Sequence, residues 1–275
     1  MPPRKNSQAR WDQRIERAVE LAATYPFASS LLSFYAEIAT FQKSLLEGWK
    51  SSSGNGADRT GGAFRDSLDL ALILPRFPDL LSVVERVGTP VLAQAVAELR
   101  HEDRVYWEEL LGSYWKAQNH TVEDASETHL FFARAFLQPY AEQIAAAIEV
   151  ALPRFGDSFC PICAGKPLAG VLREEGHGAK RSLVCSLCLT EWNYRRLVCP
   201  ACGEDRFDQL VSYTASQFEH LRVEACETCK TYMNTVDLTK NGLAIPEVDE
   251  LAGLPLSLWA RENGYTKLQS NLLGI

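Results

Sequence analysis

Cys160-Pro-Ile-Cys-Ala-Gly165 and Cys199-Pro-Ala-Cys-Gly203 are near copies set 39 residues apart. Each opens a unit that closes on a second pair, Cys185-Ser-Leu-Cys188 in the first and Cys226-Glu-Thr-Cys229 in the second. The gaps within the units are 21 and 23 residues, and 10 residues separate the units. All eight cysteines of the chain fall in these four C-x-x-C pairs, which reads as two tandem copies of one small metal module. A two-residue gap lets both sulfurs of a tight turn reach one ion while backbone N–H groups point at them. Gly203 follows its knuckle and can adopt φ > 0 without steric cost; Ala164 stands in that place in the first unit, so some distortion of that knuckle is expected. Two knuckles make a tetrahedron of four thiolates, which suits zinc or a single iron equally well. Disulfides or redox pairs are a weaker reading, because a thioredoxin-type pair opens a helix after a strand and none of these does so clearly. The C-x-x-C-x-x-C run of a [4Fe–4S] site is absent. The short gap between units favours sequential pairing, with Cys160, Cys163, Cys185 and Cys188 on one ion and Cys199, Cys202, Cys226 and Cys229 on the other; a cross-brace is the alternative.

The composition of the full chain is that of an ordinary globular protein, with 46% hydrophobic and 23% charged residues in 275. No apolar run approaches the roughly 20 residues of a membrane span. The basic start, Arg4 to Arg17, has no apolar stretch after it, so no export signal is read and a reducing compartment is expected. The net charge of −7 gives no general drive toward nucleic acid or anionic lipid.

The chain before about residue 153 follows a helical period. Trp11, Ile15, Ala18, Val19 and Ala22 recur at three- and four-residue steps, up to the stop at Tyr25-Pro26. Leu31, Tyr35, Ile38, Gln42, Leu45 and Trp49 form a longer stripe. Residues 51–63 read as a flexible loop. Helices are expected near 64–73, 78–87, 90–100, 102–118 and 126–151, with Thr89 capping Pro90 and Pro139 kinking or splitting the last. Short strands are expected at Ser182–Val184, Arg196–Val198, Gln209–Tyr213 and His220–Glu224, and a helix over Pro246–Ala260. The fold class is thus α+β: a helical domain over 1–154, metal ribbons over 155–196 and 197–240, and a helical tail over 241–275.

Other chemical-looking residues have plainer readings. His177 is a loop-tip histidine and His220 a surface one, while His129 is a helix histidine with a hydrogen-bond partner. Glu108/Glu109 and Glu174/Glu175 are solvated faces, and Trp107, Trp115, Phe131 and Phe132 belong to the core. No phosphate loop, nucleophile elbow or H-E-x-x-H motif is present, so no catalytic residues are assigned and the chain is not read as an enzyme.

Tyr25-Pro-Phe-Ala-Ser-Ser-Leu-Leu-Ser-Phe-Tyr35, Phe131-Phe-Ala-Arg-Ala-Phe-Leu-Gln-Pro-Tyr140, the four knuckles in order, and the ending from Ile245-Pro-Glu-Val-Asp249 to Gly264-Tyr265 resemble the FdhE family of formate dehydrogenase accessory proteins. The resemblance implies a cytoplasmic maturation factor that binds the catalytic subunit of formate dehydrogenase. It also implies rubredoxin-like, iron-binding sites at the eight cysteines, with zinc as the other candidate occupant. A zinc-ribbon protein that binds nucleic acid or serves transcription is one rival, and a rubredoxin-like electron carrier is another. From Phe155 to Asn234 there are nine Lys or Arg and ten Asp or Glu, a net of −1, which is poor for binding phosphates. Arg195-Arg196 beside Trp192 and Tyr194 is the one local hint of nucleic-acid contact.

Overall fold

The computed structural model describes residues 7–52, 64–117, 126–148 and 155–275. Residues 53–63 of the expected loop and the composition break near 153 lie outside these; residues 51 and 52 close a helix. The architecture is α+β. Helices α1 (Ser7–Thr24) and α2 (Ser29–Ser52) are followed by α3 (Leu70–Ile73), α4 (Phe77–Val87), α5 (Pro90–His101), α6 (Arg104–Lys116) and α7 (Glu127–Ala147). The pattern over 64–73 is not one helix: a 3-10 turn at Phe64–Asp66 precedes the single turn of α3, which Asp69 caps by accepting from Ala71 N. Thr89 caps α5 as expected, accepting from Leu92 N at 3.4 Å.

Pro139 does not split α7, which runs through it. Proline has no N–H to give the carbonyl four residues back, so the Ala135 oxygen loses its helical donor. Gln42, buried in the α2 stripe, supplies one instead: its Nε2 donates to Ala135 O at 2.7 Å. The α1 stripe also differs from its apolar reading. Val19 is exposed, whereas Arg14 and Arg17 are buried beside Trp11, Ala18 and Leu21.

The second half forms one sheet. Strands β1 (Pro167–Glu175), β2 (Gly178–Cys185) and β3 (Glu191–Asn193) make the first antiparallel unit. Strands β4 (Leu210–Thr214), β5 (Leu221–Cys226) and β6 (Thr231–Asp237) make the second. The order β3-β2-β1-β6-β5-β4 sets the units side by side in the same direction, joined by parallel pairing of β1 with β6. At that seam Gly170 pairs with Thr235, and a Cβ on Gly170 would sit 2.3 Å from Thr235 Oγ1, so the join needs glycine. Residues 196–198, expected as a strand, turn instead across the sheet between the units.

The tail is two helices, α8 (Pro246–Ala252) and α9 (Leu254–Glu262), broken at Gly253, and then the short strand β7 (Thr266–Lys267) beside the start of β6. Val248 and Leu251 are buried as expected, but Leu258 is 47% exposed. One sheet face packs Val223, Ala225, Tyr232 and Val236 against Leu256 and Ala260 of α9. The largest core runs from α1, α2, α4 and α7 into the first cysteine unit without a break. Two buried ion-pair groups tie α1 to the tail. Arg14 binds Glu142 of α7 at 2.8 and 2.9 Å and Glu247 of α8 at 2.6 Å. Arg17 binds Asp249 of α8 at 2.6 and 3.0 Å.

Candidate metal centres

Cys160 and Cys163 precede β1, and Cys185 ends the antiparallel β2. Cys226 ends β5, and Cys229 precedes β6. Because β1 and β6 run parallel in register, both sets of cysteines lie at the same end of the sheet. They form two groups, Cys160/Cys163/Cys185/Cys188 and Cys199/Cys202/Cys226/Cys229, each with its sulfurs within 4.8 Å of one another. This is the sequential grouping, not the cross-brace. Sγ–Sγ separations of 3.6 Å (Cys160–Cys188) and 3.3 Å (Cys163–Cys185) in the first group, and 3.8 Å for both Cys199–Cys229 and Cys202–Cys226, are far from a disulfide's ~2.05 Å. They are close to the ~3.8 Å edge of a tetrahedron with 2.3 Å metal–sulfur bonds. The donor set and its spacing fit a single zinc or iron ion.

Each knuckle closes the same way. Ala164 N donates to Cys160 O at 2.9 Å, and Gly203 N to Cys199 O at 2.9 Å; the return bonds, Cys160 N to Gly165 O and Cys199 N to Glu204 O, are both 2.8 Å. The residue after every second cysteine is left-handed: Ala164 at φ 59°, Leu189 at 50°, Gly203 at 79° and Lys230 at 55°. The expected distortion at Ala164 is absent, since the alanine accepts the left-handed turn. Amide N–H groups aim at sulfur in both units, Leu187 N to Cys185 Sγ and Ala201 N to Cys199 Sγ, each at 3.4 Å.

The two centres differ in burial. All four cysteines of the first are buried, whereas in the second Cys202 is exposed and Cys229 half-buried. The helical body holds the first centre's knuckles directly. Arg65 donates to Cys163 O at 2.5 Å and also to Trp115 O. Arg134 of α7 donates to Ser186 O at 2.8 Å and to Ser270 O and Asn271 O at 2.7 Å. Gln138 donates to Ser186 O at 3.4 Å. Arg134, Gln138 and Pro139 all belong to the Phe131–Tyr140 segment, in which no sequence pattern marks the docking of a metal knuckle. Thr190 Oγ1 lies 3.2 Å from Cys188 Sγ, and Thr231 hydrogen-bonds Cys229. This repeated Cys-x-Thr was a signal available in the sequence.

Burial drives the Cys185 and Cys188 thiols well above their usual range, while hydrogen bonds from Cys163, Cys185 and Cys188 hold Cys160 far below its own. Several thiolates cannot share so dry a space without a cation, and a bound metal ion removes the conflict by deprotonating its ligands outright. In the second centre burial raises Cys199 and Cys202. At Cys229 burial is outweighed by hydrogen bonds from Thr231, Cys202 and Cys226, and the thiol falls to about 7.

The remaining candidates are structural. His129 Nδ1 lies 3.0 Å from Tyr106 Oη, and His177 is exposed at the β1–β2 tip. His220, expected at the surface, is buried with Nε2 2.8 Å from Asp249 Oδ1. Trp192 and Tyr194 are buried, so neither is free to stack on a base. Among the described residues no helix is long and apolar enough to cross a membrane.

A helical body fused to a sheet with two four-cysteine clusters defines a protein that could hold a metal ion in each cluster. Residues 159–196 match the FdhE central domain and 197–273 the FdhE C-terminal domain. An FdhE homolog from Aquifex aeolicus is 28% identical over 271 residues, covering 94% of each chain, and one from Shewanella oneidensis is 34% identical over 108 residues, 39% of this chain and 35% of that one. The crystal structure of the FdhE protein from Pseudomonas aeruginosa superposes with a TM-score of 0.73 at 24% identity, covering 98% of this chain and 96% of that one. The chain is similar to an FdhE homolog over 94% of its length, and its residues 159–273 match the models of the FdhE central and C-terminal domains.

Proposed function

We propose that this chain is an accessory factor that binds the catalytic subunit of formate dehydrogenase in the cytoplasm and is needed for active enzyme, with iron in each four-cysteine centre and zinc as the alternative occupant. The observation that carries the reading is the pair of four-cysteine clusters at one end of a single sheet, in a chain similar to FdhE homologs over 94% of its length. The buried charged groups support a role without catalysis. Arg14, Arg17, Glu142, Glu247, Asp249 and His220 are all used in holding α1, α7, α8 and β5 together. When bound, iron in four thiolates can gain or lose one electron. The residues around it fix its position, the first centre being sealed and the second open. That open second centre also favours a subordinate reading, electron transfer to a partner, which a reversible colour change coupled to turnover with a donor would support. The principal test is copurification of the tagged chain from its native host under anaerobic conditions, followed by identification of bound protein and metal. Formate dehydrogenase catalytic subunit in the eluate supports the proposal; its absence from a metal-loaded preparation overturns it.

A further inference from the structure

The register of the second unit places Ser212, Glu224 and Met233 in one row across β4, β5 and β6, with Leu210 and Cys226 in the next. Among the described residues no helix lines this part of the face. The turn at 196–201 crosses above it, leaving a cleft of about 180 Å³ whose walls include Cys199 and Cys226 of the open metal centre. That is below the roughly 300–1,000 Å³ usual for a small-molecule site, and suits a single inserted side chain. Most of its surface is apolar, from Leu197, Val198, Leu210, Val211, Met233 and Leu268. Leu197 is 55% exposed beside it, an apolar side chain held at the rim.

The charge of the cleft is one-sided. Three guanidinium groups, Arg181, Arg196 and Arg222, line it with a single carboxylate, Glu224. Glu224 is already shared, at 2.7 Å from Arg181 and 3.0 Å from Arg222. Arg196 is exposed and has no acidic partner among the described residues. Arg181 is 4% exposed, and its Nε has no hydrogen-bond partner among the described residues. The rest of the Arg181 guanidinium is held, by the carbonyls of Arg195 and Val198 at 3.0 and 3.1 Å and by Glu224, so Arg181 is a fixed part of the wall. Arg196 and Arg222 also wall a neighbouring open cleft of about 540 Å³ that carries the carboxylates Glu174 and Asp237 and runs to His177 at the β1–β2 tip, so the two clefts form a trough from the open metal centre to the hairpin with its unpaired cation, Arg196, at their junction.

We infer that this trough is the docking site for an extended segment of the client polypeptide, which places an apolar side chain in the cleft beside the open centre and a carboxylate on Arg196 and Arg222. The inference rests on the accessory-factor reading and assigns it a surface. An extended chain suits a trough with an apolar hole at one end, arginines at its middle and carboxylates toward the hairpin, because alternate side chains can enter the hole and meet each charge in turn. Phosphate alone is a poorer match, since Glu224 stands among the arginines and the floor is apolar.

The test uses the full-length, metal-loaded chain titrated with purified formate dehydrogenase catalytic subunit at about 150 mM salt, where weak surface attraction is screened. Arg196→Glu reverses the free charge, and Ser212→Trp fills the cleft from an exposed position on β4. Each is expected to weaken binding at least tenfold, roughly the effect of losing one well-placed charge or anchor contact, with two metal ions still bound. Arg86→Glu makes the same charge change on α4, at an exposed residue that pairs with Glu37 and lines neither cleft, and is expected to bind as wild type. Wild-type affinity in both trough variants overturns the docking site and leaves the accessory role standing. No binding by the wild-type chain overturns both. Duplex DNA binding lost in Arg196→Glu, without client binding, gives the trough to nucleic acid and overturns the proposal.

Discussion

Ala164 and Gly203 occupy the same place in the two halves of the repeat and the same left-handed backbone region, at φ 59° and 79°. The hydrogen bonds around them match to within 0.1 Å. The metal knuckle dictates the turn, and the side chain at that place adapts to it. An L-residue held there is strained by roughly 1–2 kcal/mol, partly offset because glycine loses more freedom on folding. Ala164→Gly is therefore expected to stabilise the chain by about 0.5–1 kcal/mol in denaturant unfolding and to leave the metal content unchanged. A loss of 1 kcal/mol or more would show that Ala164 is favoured for its contacts.

Cys202 and Cys160 should part company when metal is withdrawn. The second centre has an exposed ligand, whereas the first is sealed in the core that includes the helices. A chelator should remove one ion in a fast phase and the other at least about tenfold more slowly, since release from the first centre requires a larger opening. The sequence alone suggests that the helices survive loss of both ions. The shared core and the bonds from Arg65 and Arg134 predict that Cys160→Ser disturbs the helical body, while Cys202→Ser leaves its circular dichroism intact. Loss of both ions in one phase would contradict this division.

Asp249 joins three elements by accepting from Arg17, His220 and Ile245 N. Burial alone would raise its pKa, but the bonds from His220 and Arg17 outweigh it and hold the carboxyl below its usual range. A depressed carboxyl stabilises the fold above the unfolded value of ~3.9, and that contribution fades as pH falls through the folded value. Asp249→Asn should cost about 1–3 kcal/mol at pH 7, because it takes from Arg17 its buried partner and leaves it only the exposed Glu20. The deficit should shrink as the wild type is acidified below about pH 4. Equal loss at all pH values would mean that Asp249 acts by shape alone.

Most of the metal chemistry was legible in the sequence, because ligands that share a turn must be close along the chain. The repeat and its four cysteine pairs follow from local spacing, which also favours the sequential grouping over the cross-brace; the fold decides between them. What joins these pieces was not legible. Gly170 meets Thr235 from 65 residues away, and Arg14 meets Glu247 across 233. No periodicity encodes such pairs. Arg14 and Arg17 were missed because an apolar stripe has no place for a charge that finds its partner only in the folded chain. His220 was read as exposed for the same reason, its partner Asp249 lying 29 residues on. Pro139 promised a broken helix, and only Gln42 on another helix explains why α7 continues.

We propose that the chain makes formate dehydrogenase active by engaging its catalytic subunit. The most direct measurement is formate oxidation in a deletion strain complemented with wild type, Cys185→Ser/Cys188→Ser or Cys226→Ser/Cys229→Ser, with client abundance followed in parallel. The predicted result is activity with wild type only, and catalytic subunit present but inactive in the others. Full formate oxidation without this protein would contradict the account.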